Sequence, residues 1–316
     1  MPISSPAPAP DRTSDAAMTR RTFLRSTAAF SGLAALAASL SPLRDLSDYT
    51  SVEQFLQKYY KELTPDEMAK VLKRIERDVE RQYGIRPHVR DLRPMDGVEF
   101  VYCLNLTRCI GCRKCVHACV AENNHSRNPE IQYIRVLRLP HGSLDFEKAE
   151  HHYDPKQVPE KGFFYMPVQC QQCKHSPCMK ACPVNATWTE TDGITVIDYD
   201  WCIGCRYCEA ACPYFARRFN FAKPEIPKER LNPNMAYLGN RPRKQGVMEK
   251  CHFCLQRTRA GRYPACLEVC PVGARKFGNI LDPESEVSYI LREKRVFIQL
   301  KEELGTSPRF FYYFDK

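Results

Sequence analysis

Cys202-Ile203-Gly204-Cys205-Arg206-Tyr207-Cys208-Glu209-Ala210-Ala211-Cys212-Pro213 decides the reading of this chain. Three cysteines spaced C-x2-C-x2-C lie on one tight loop, so their thiolates can cover three corners of a cube-shaped iron–sulfur core. Gly204, just before the second cysteine, lets the backbone curl closely around the metal. The fourth cysteine turns away with a starting helix toward a neighbouring centre, and Pro213 ends the run.

Three further blocks repeat the theme. Block one is Cys109, Cys112, Cys115 and Cys119, with Gly111 in the place of Gly204. Block two is Cys170, Cys173, Cys178 and Cys182; block three is Cys202, Cys205, Cys208 and Cys212; block four is Cys251, Cys254, Cys266 and Cys270. Pro183, Pro213 and Pro271 follow the last cysteines of blocks two to four, whereas Val120 stands there in block one. In two-cluster ferredoxins the fourth cysteine of each run crosses to the other cluster. Four runs therefore predict four [4Fe-4S] clusters. Only 19 residues separate blocks two and three, which favours exchange of Cys182 and Cys212 between those two.

Two other uses of cysteine compete. A disulfide scaffold suits an exported protein, but cysteines three apart in such a run cannot all pair locally without strain. Zinc suits Cys251-x2-Cys254 with a distant pair, yet four cysteines crowded within eleven residues, as in blocks one and three, match clusters instead. Cys103 lies outside every block, in the strand-like Phe100-Val101-Tyr102-Cys103-Leu104, and reads as a buried small hydrophobe. His117, His175 and His252 lie near motifs that already have full sets of cysteines.

The formal charge of +10 invites a nucleic-acid reading, which the cysteines remove. Residues 1–38 hold four arginines against two aspartates, leaving +8 for the rest. Four clusters, each a dianion with its thiolates, contribute about −8. Basic residues near the motifs (Arg108, Arg113, Lys114, Lys174, Arg206, Lys250, Arg257) are candidates for that counterweight. No nucleic-acid partner is expected.

The N-terminus, Thr19-Arg20-Arg21-Thr22-Phe23-Leu24-Arg25 followed by apolar residues to Leu40, resembles a twin-arginine signal. Arg20 and Arg21 would direct export of the folded protein to the periplasm, which suits a cofactor assembled in the cytoplasm. No other segment approaches 18 apolar residues, so no membrane span is predicted in the mature protein. Four regions follow: a signal segment 1–40, a helical extension 41–95, a cluster domain 96–280, and a C-terminal helix with an aromatic tail, 281–316. Thr64-Pro65-Asp66-Glu67 reads as a helix start with a capping box, and Met68, Val71, Leu72, Ile75 and Val79 follow at helical spacing. Lys223 to Gln245 reads as a surface loop, and Phe310-Phe311-Tyr312-Tyr313-Phe314 as an end packed on the domain.

Residues 98–280 resemble the four-cluster ferredoxin-like subunits of the complex iron–sulfur molybdoenzyme family. The resemblance rests on Cys119-Val120-Ala121-Glu122-Asn123-Asn124, Cys251-His252-Phe253-Cys254, Gly261-Arg262-Tyr263-Pro264-Ala265-Cys266 and Cys270-Pro271. It implies an α+β fold of tandem, nested two-cluster ferredoxin-like domains, rich in loops. It also implies the outer ligand sets, Cys109, Cys112, Cys115 with Cys270, and Cys251, Cys254, Cys266 with Cys119. The inner sets are Cys170, Cys173, Cys178 with Cys212, and Cys202, Cys205, Cys208 with Cys182. Some relatives replace a third-block cysteine and carry a three-iron cluster; with Cys205 present, all four are expected to be four-iron. The implied role is a non-catalytic electron wire between a large molybdopterin subunit and an integral membrane quinone-binding subunit or cytochrome. Alternatives are a subunit of a periplasmic hydrogenase or another quinone-linked complex, a free ferredoxin, or a zinc-binding structural subunit.

Overall fold

Helix α1 (Pro65–Tyr83) starts where its sequence dictates. The Thr64 hydroxyl accepts from the Glu67 N–H, the Glu67 carboxylate accepts from the Thr64 N–H, and Gly84 closes the far end in the left-handed region. Ile75 and Val79 are buried, and Met68, Val71 and Leu72 pack beside them. The computed structural model describes residues 63–146, 148–294 and 297–315, all within one compact unit. Arg20, Arg21, the rest of segment 1–40 and the first part of the helical extension lie outside the described residues.

Each cysteine block is entered from a strand and carries a short helix before its last cysteine or around it. After β1 (His88–Arg90), β2 (Phe100–Asn105) leads into block one, and α2 (Lys114–Glu122) and β3 (Arg135–Pro140) follow it. β4 (Phe163–Val168) enters block two, and α3 (Pro177–Lys180) and β5 (Thr187–Thr189) leave it. β6 (Thr195–Ile197), α4 (Tyr207–Ala210) and β7 (Arg217–Phe219) frame block three. After β8 (Asn234–Ala236), block four lies between β9 (Met248–Lys250) and β10 (Arg275–Asn279), with α5 (Leu255–Thr258) and α6 (Ala265–Glu268) inside it. α7 (Glu286–Glu293), β11 (Phe297–Ile298) and β12 (Phe310–Tyr313) complete the order.

β3 pairs with β4, β5 with β6 and β7 with β9, all antiparallel. Each pair joins the strand leaving one block to the strand entering the next. β10 pairs antiparallel with β2, Phe277 opposite Tyr102, and so returns the last block to the first. β12 then adds in parallel to the other edge of β2, with β11 outside it. β2 is thereby buried on both faces. Tyr102 and Leu104 face the main core, where Tyr102 stacks on Phe310 at 4.8 Å and Phe253 meets Phe277 edge-on at 5.4 Å. Val101 and Cys103 face α7, against Val287 and Ile290. Burial pushes the Cys103 thiol up to about 12, so it packs as a neutral hydrophobe, apart from the cysteine blocks.

One expectation holds only for part of its span. Residues 223–234 are mostly exposed, as a surface loop would be, but Met235, Ala236 and Asn240 are fully buried. β8 pairs in parallel with β1, and Asn240 donates to the carbonyls of Glu122 and Asn234. Arg241 and Arg243 are buried against Asp200 and Glu249. Arg241 and Arg243 serve internal pairing, because a buried cation is tolerated when a carboxylate meets it, while Lys223, Lys228, Arg230 and Lys244 stay exposed.

Candidate metal centres

The four block loops share one backbone device. The residue before the second cysteine is left-handed in every block: Gly111 at φ 73°, Gln172 at 47°, Gly204 at 71° and Phe253 at 52°. Alternating right- and left-handed residues turn successive N–H groups inward and make a concavity suited to anions. The Gly111 N–H favours the Cys109 thiolate and the Phe253 N–H that of Cys251, against the larger opposing effect of burial. The glycines are required by crowding of the chain itself. A Cβ on Gly111 would lie 2.3 Å from the Tyr165 ring, and one on Gly204 would lie 2.0 Å from the Gly246 carbonyl oxygen.

The loops gather cysteines from distant parts of the chain. Cys109, Cys112, Cys115 and Cys270 line one cavity. Cys170, Cys173, Cys178 and Cys212 line another. Burial, and then the Cys254, Cys251 and Cys266 sulfurs beside it, push the Cys119 thiol well above its ordinary value. Cys208 has Cys178 and Cys202 as neighbours. Cys205 stands exposed on the same loop, and Cys182 closes α3, which packs on α4.

Among the described residues, no three His, Cys, Asp or Glu side chains converge closely enough for a single metal ion. Thiols arranged around a volume suit a polynuclear cluster, whereas a tetrahedral zinc site needs four sulfurs about one point. Burial pushes the Cys173 and Cys251 thiols up to about 12 and Cys208 to about 11. Loading iron must therefore displace protons. The anions so made are met by donors already in place. Asn123 Nδ2 lies 3.5 Å from Cys119 Sγ and 3.7 Å from Cys254 Sγ, and the Tyr102 hydroxyl is 3.3 Å from Cys266 Sγ. Arg217 Nη2 is 3.0 Å from Cys178 Sγ. Arg217 Nε and Arg275 Nη2 are buried with no hydrogen-bond partner, and these arginines line the second and first cavities respectively. Unpaired buried donors facing four thiols fit a cluster, whose sulfurs accept hydrogen bonds.

The counterweight expected from the sequence is differently placed. Arg108, Lys114, Lys174 and Arg206 are exposed and Arg113 half-buried, and Arg257 is paired with Glu122 and Glu268. Of the seven, Lys250 alone is buried without an acidic partner among the described residues. Arg217 and Arg275 escaped the sequence reading, although a repeat marks both. Cys212-Pro213-Tyr214-Phe215-Ala216-Arg217 and Cys270-Pro271-Val272-Gly273-Ala274-Arg275 share the pattern C-P-x-x-A-R. The C-terminal segment does more than pack on the domain. Thr306 and Ser307 carbonyls accept from the His175 and Lys174 N–H groups, and the Thr306 hydroxyl reaches Cys173. His117 and His175 are exposed, and His252 is buried beside Lys250 and Arg243.

Known proteins match this arrangement. Residues 108–186, 162–232 and 233–280 fit family models described as 4Fe-4S dicluster domain. The iron-sulfur subunit 1 of the Hdr-like menaquinol oxidoreductase of Archaeoglobus fulgidus is 41% identical over 211 residues, covering 63% of this chain and 71% of the relative. The iron-sulfur cluster-binding subunit of the menaquinone reductase of Nitratidesulfovibrio vulgaris is 36% identical over 238 residues, 66% of this chain and 86% of the relative. The iron-sulfur subunit of the arsenate respiratory reductase of Shewanella sp. is 32% identical over 237 residues, 66% and 93%. With its gathered cysteines and these relatives, the chain belongs to the 4Fe-4S dicluster family, as an electron-transfer subunit of the complex iron–sulfur molybdoenzyme type.

Proposed function

We propose that the protein holds four [4Fe-4S] clusters in two nested ferredoxin-like pairs, as a wire between a molybdopterin-containing catalytic subunit and a quinone-reactive membrane subunit or cytochrome. Cluster 1 takes Cys109, Cys112, Cys115 and Cys270; cluster 2 takes Cys170, Cys173, Cys178 and Cys212. Cluster 3 takes Cys202, Cys205, Cys208 and Cys182; cluster 4 takes Cys251, Cys254, Cys266 and Cys119. When bound, such clusters supply one-electron redox centres. The observation that carries the reading is the gathering of Cys119 with the block-four sulfurs, more than 130 residues away in sequence. It is the crossover that nesting requires.

Neighbouring sulfurs also support an order. Cys115 lies near Cys119 and Cys266, Cys251 near Cys170, and Cys178 near Cys208. The resulting order is cluster 1, 4, 2, 3. An arsenate respiratory reductase iron-sulfur subunit among the relatives supports the catalytic partner, and the menaquinol oxidoreductase and menaquinone reductase subunits favour the quinone side. Among the described residues no helix is long and apolar enough to cross a membrane, so a separate subunit would make that connection. Arg20 and Arg21 support twin-arginine export and a periplasmic location.

Iron and acid-labile sulfide of about sixteen each per chain, with visible absorption bleached by dithionite, are expected. Stoichiometric zinc without sulfide would overturn the reading. Affinity purification from native membranes tests the partners: a large molybdenum-containing subunit and a membrane subunit should accompany the chain, whereas a lone monomer returns it to a free ferredoxin. Arg20→Lys with Arg21→Lys should leave the protein in the cytoplasm.

A further inference from the structure

The buried cations of this protein fall into two groups. Arg241, Arg243, Arg257 and Arg259 each meet carboxylates: Asp200, Glu249, Glu122 with Glu268, and Glu190 with Asp192. Arg217, Lys250 and Arg275 are 2%, 1% and 3% exposed, and among the described residues none forms an ion pair with Asp or Glu. A buried cation without an anion is among the costliest features a fold can carry. Cysteine sulfurs are the anions closest to them: Arg217 and Arg275 reach Cys178 and Cys266, and Lys250 is bonded to the Cys251 backbone. All three stand where two cysteine sets meet.

Arg275 projects from β10 between sets 1 and 4. It lines the cavity of Cys109, Cys112, Cys115 and Cys270, while its Nη1 lies 3.9 Å from Cys266 Sγ and 3.1 Å from Gln169 Oε1. Lys250 ends β9 between sets 4 and 2. Its Nζ donates to the Cys251 carbonyl at 2.8 Å and to the carbonyl of Thr195, a residue lining the Cys170 cavity. Arg217 begins β7 between sets 2 and 3, with Nη2 at 3.0 Å from Cys178 Sγ and its charge beside the Cys208 thiol. Arg217 and Arg275 occupy the same place in their C-P-x-x-A-R repeats, five residues after the crossing cysteine. Thr187 takes that place after Cys182 and hydrogen-bonds Arg217.

We infer that Arg275, Lys250 and Arg217 are shared junction cations, each setting the reduction potentials of the two clusters on either side of it. This rests on the four-cluster reading above. Adding an electron makes each cluster more negative, so a fixed cation in a low-dielectric junction favours the reduced form of both neighbours. They act as positioning and potential-setting residues and ligate no iron.

Arg217→Gln, Lys250→Gln and Arg275→Gln are compared with wild type by redox titration followed by electron paramagnetic resonance, on protein whose iron and sulfide have been counted. Each variant should lower the potentials of its two flanking clusters by at least tenfold in the reduction equilibrium, about 59 mV for one electron, and leave the other two unchanged. Arg108→Gln, at an exposed site near block one, should shift none by as much as threefold. A shift at one flanking cluster only, or at neither with sixteen sulfides retained, overturns the inference. If wild type holds fewer than four clusters, it is the underlying reading that fails. Should a Gln variant lose iron, the charge-conserving Arg217→Lys, Lys250→Arg and Arg275→Lys decide: each should restore sixteen sulfides and hold both flanking potentials within threefold of wild type in the reduction equilibrium. Loss of iron, or a drop of tenfold or more at either flanking cluster with the charge retained, overturns the inference.

Discussion

Replacing Gly204 by alanine tests whether block three is held by backbone crowding. Gly204 sits at φ 71°, and a Cβ there would lie 2.0 Å from the Gly246 carbonyl oxygen. That oxygen cannot simply retreat, because its turn is pinned by the Gly246 N–H to the Asn220 carbonyl at 2.8 Å and by the Asn220 N–H to the Val247 carbonyl at 3.0 Å. Left-handed alanine costs about 1 kcal/mol, and overlap with a fixed backbone atom about 3 kcal/mol more. Gly246→Ala is the matched control: φ is 85°, but nothing lies within 4 Å of its Cβ, so only the conformational cost of about 1 kcal/mol applies. The expected difference of about 3 kcal/mol corresponds to roughly 6–12 °C in apparent Tm. Differential scanning calorimetry of the iron-loaded proteins, with cluster content before and after heating, reads it. Equal Tm values for the two variants would refute the reasoning.

Further outcomes are expected. Cys119→Ser should remove one cluster, about four irons and four sulfides, whereas Cys103→Ser should keep all iron and cost about 1–3 kcal/mol for burying a hydroxyl in the α7 contact; metal analysis and thermal melts separate the two. Cys103, with its thiol pushed up to about 12 by burial, should resist iodoacetamide in loaded folded protein at pH 8 and react only after unfolding, as mass spectrometry would show. Arg259→Met should cost about 3–5 kcal/mol, because Asp192 is fully buried and loses its partner; a melt within 2 °C of wild type would contradict it. Stripping iron with a chelator under oxidising conditions should abolish cooperative unfolding, since Arg217, Lys250 and Arg275 then lose the anions that offset their burial.

The cysteine spacing alone determined the cofactor chemistry and separated Cys103 from the blocks, because cluster ligation is local to short loops. Thr64, Pro65 and Glu67 likewise fixed the start of α1, since a capping box needs only four consecutive residues. The buried segment around Met235 and Asn240 was illegible, because its polar residues find partners such as Glu122 and Asp200 that lie far off in sequence. Chain spacing left the place of Cys119 open and resemblance implied it; the tertiary structure sets Cys119 beside the block-four sulfurs, with the β2–β10 pairing closing the series of strands. It alone distinguished a surface arginine such as Arg108 from the unpaired cations at the cluster junctions. Composition counts charges, whereas their effect depends on burial and on which anion stands next to them.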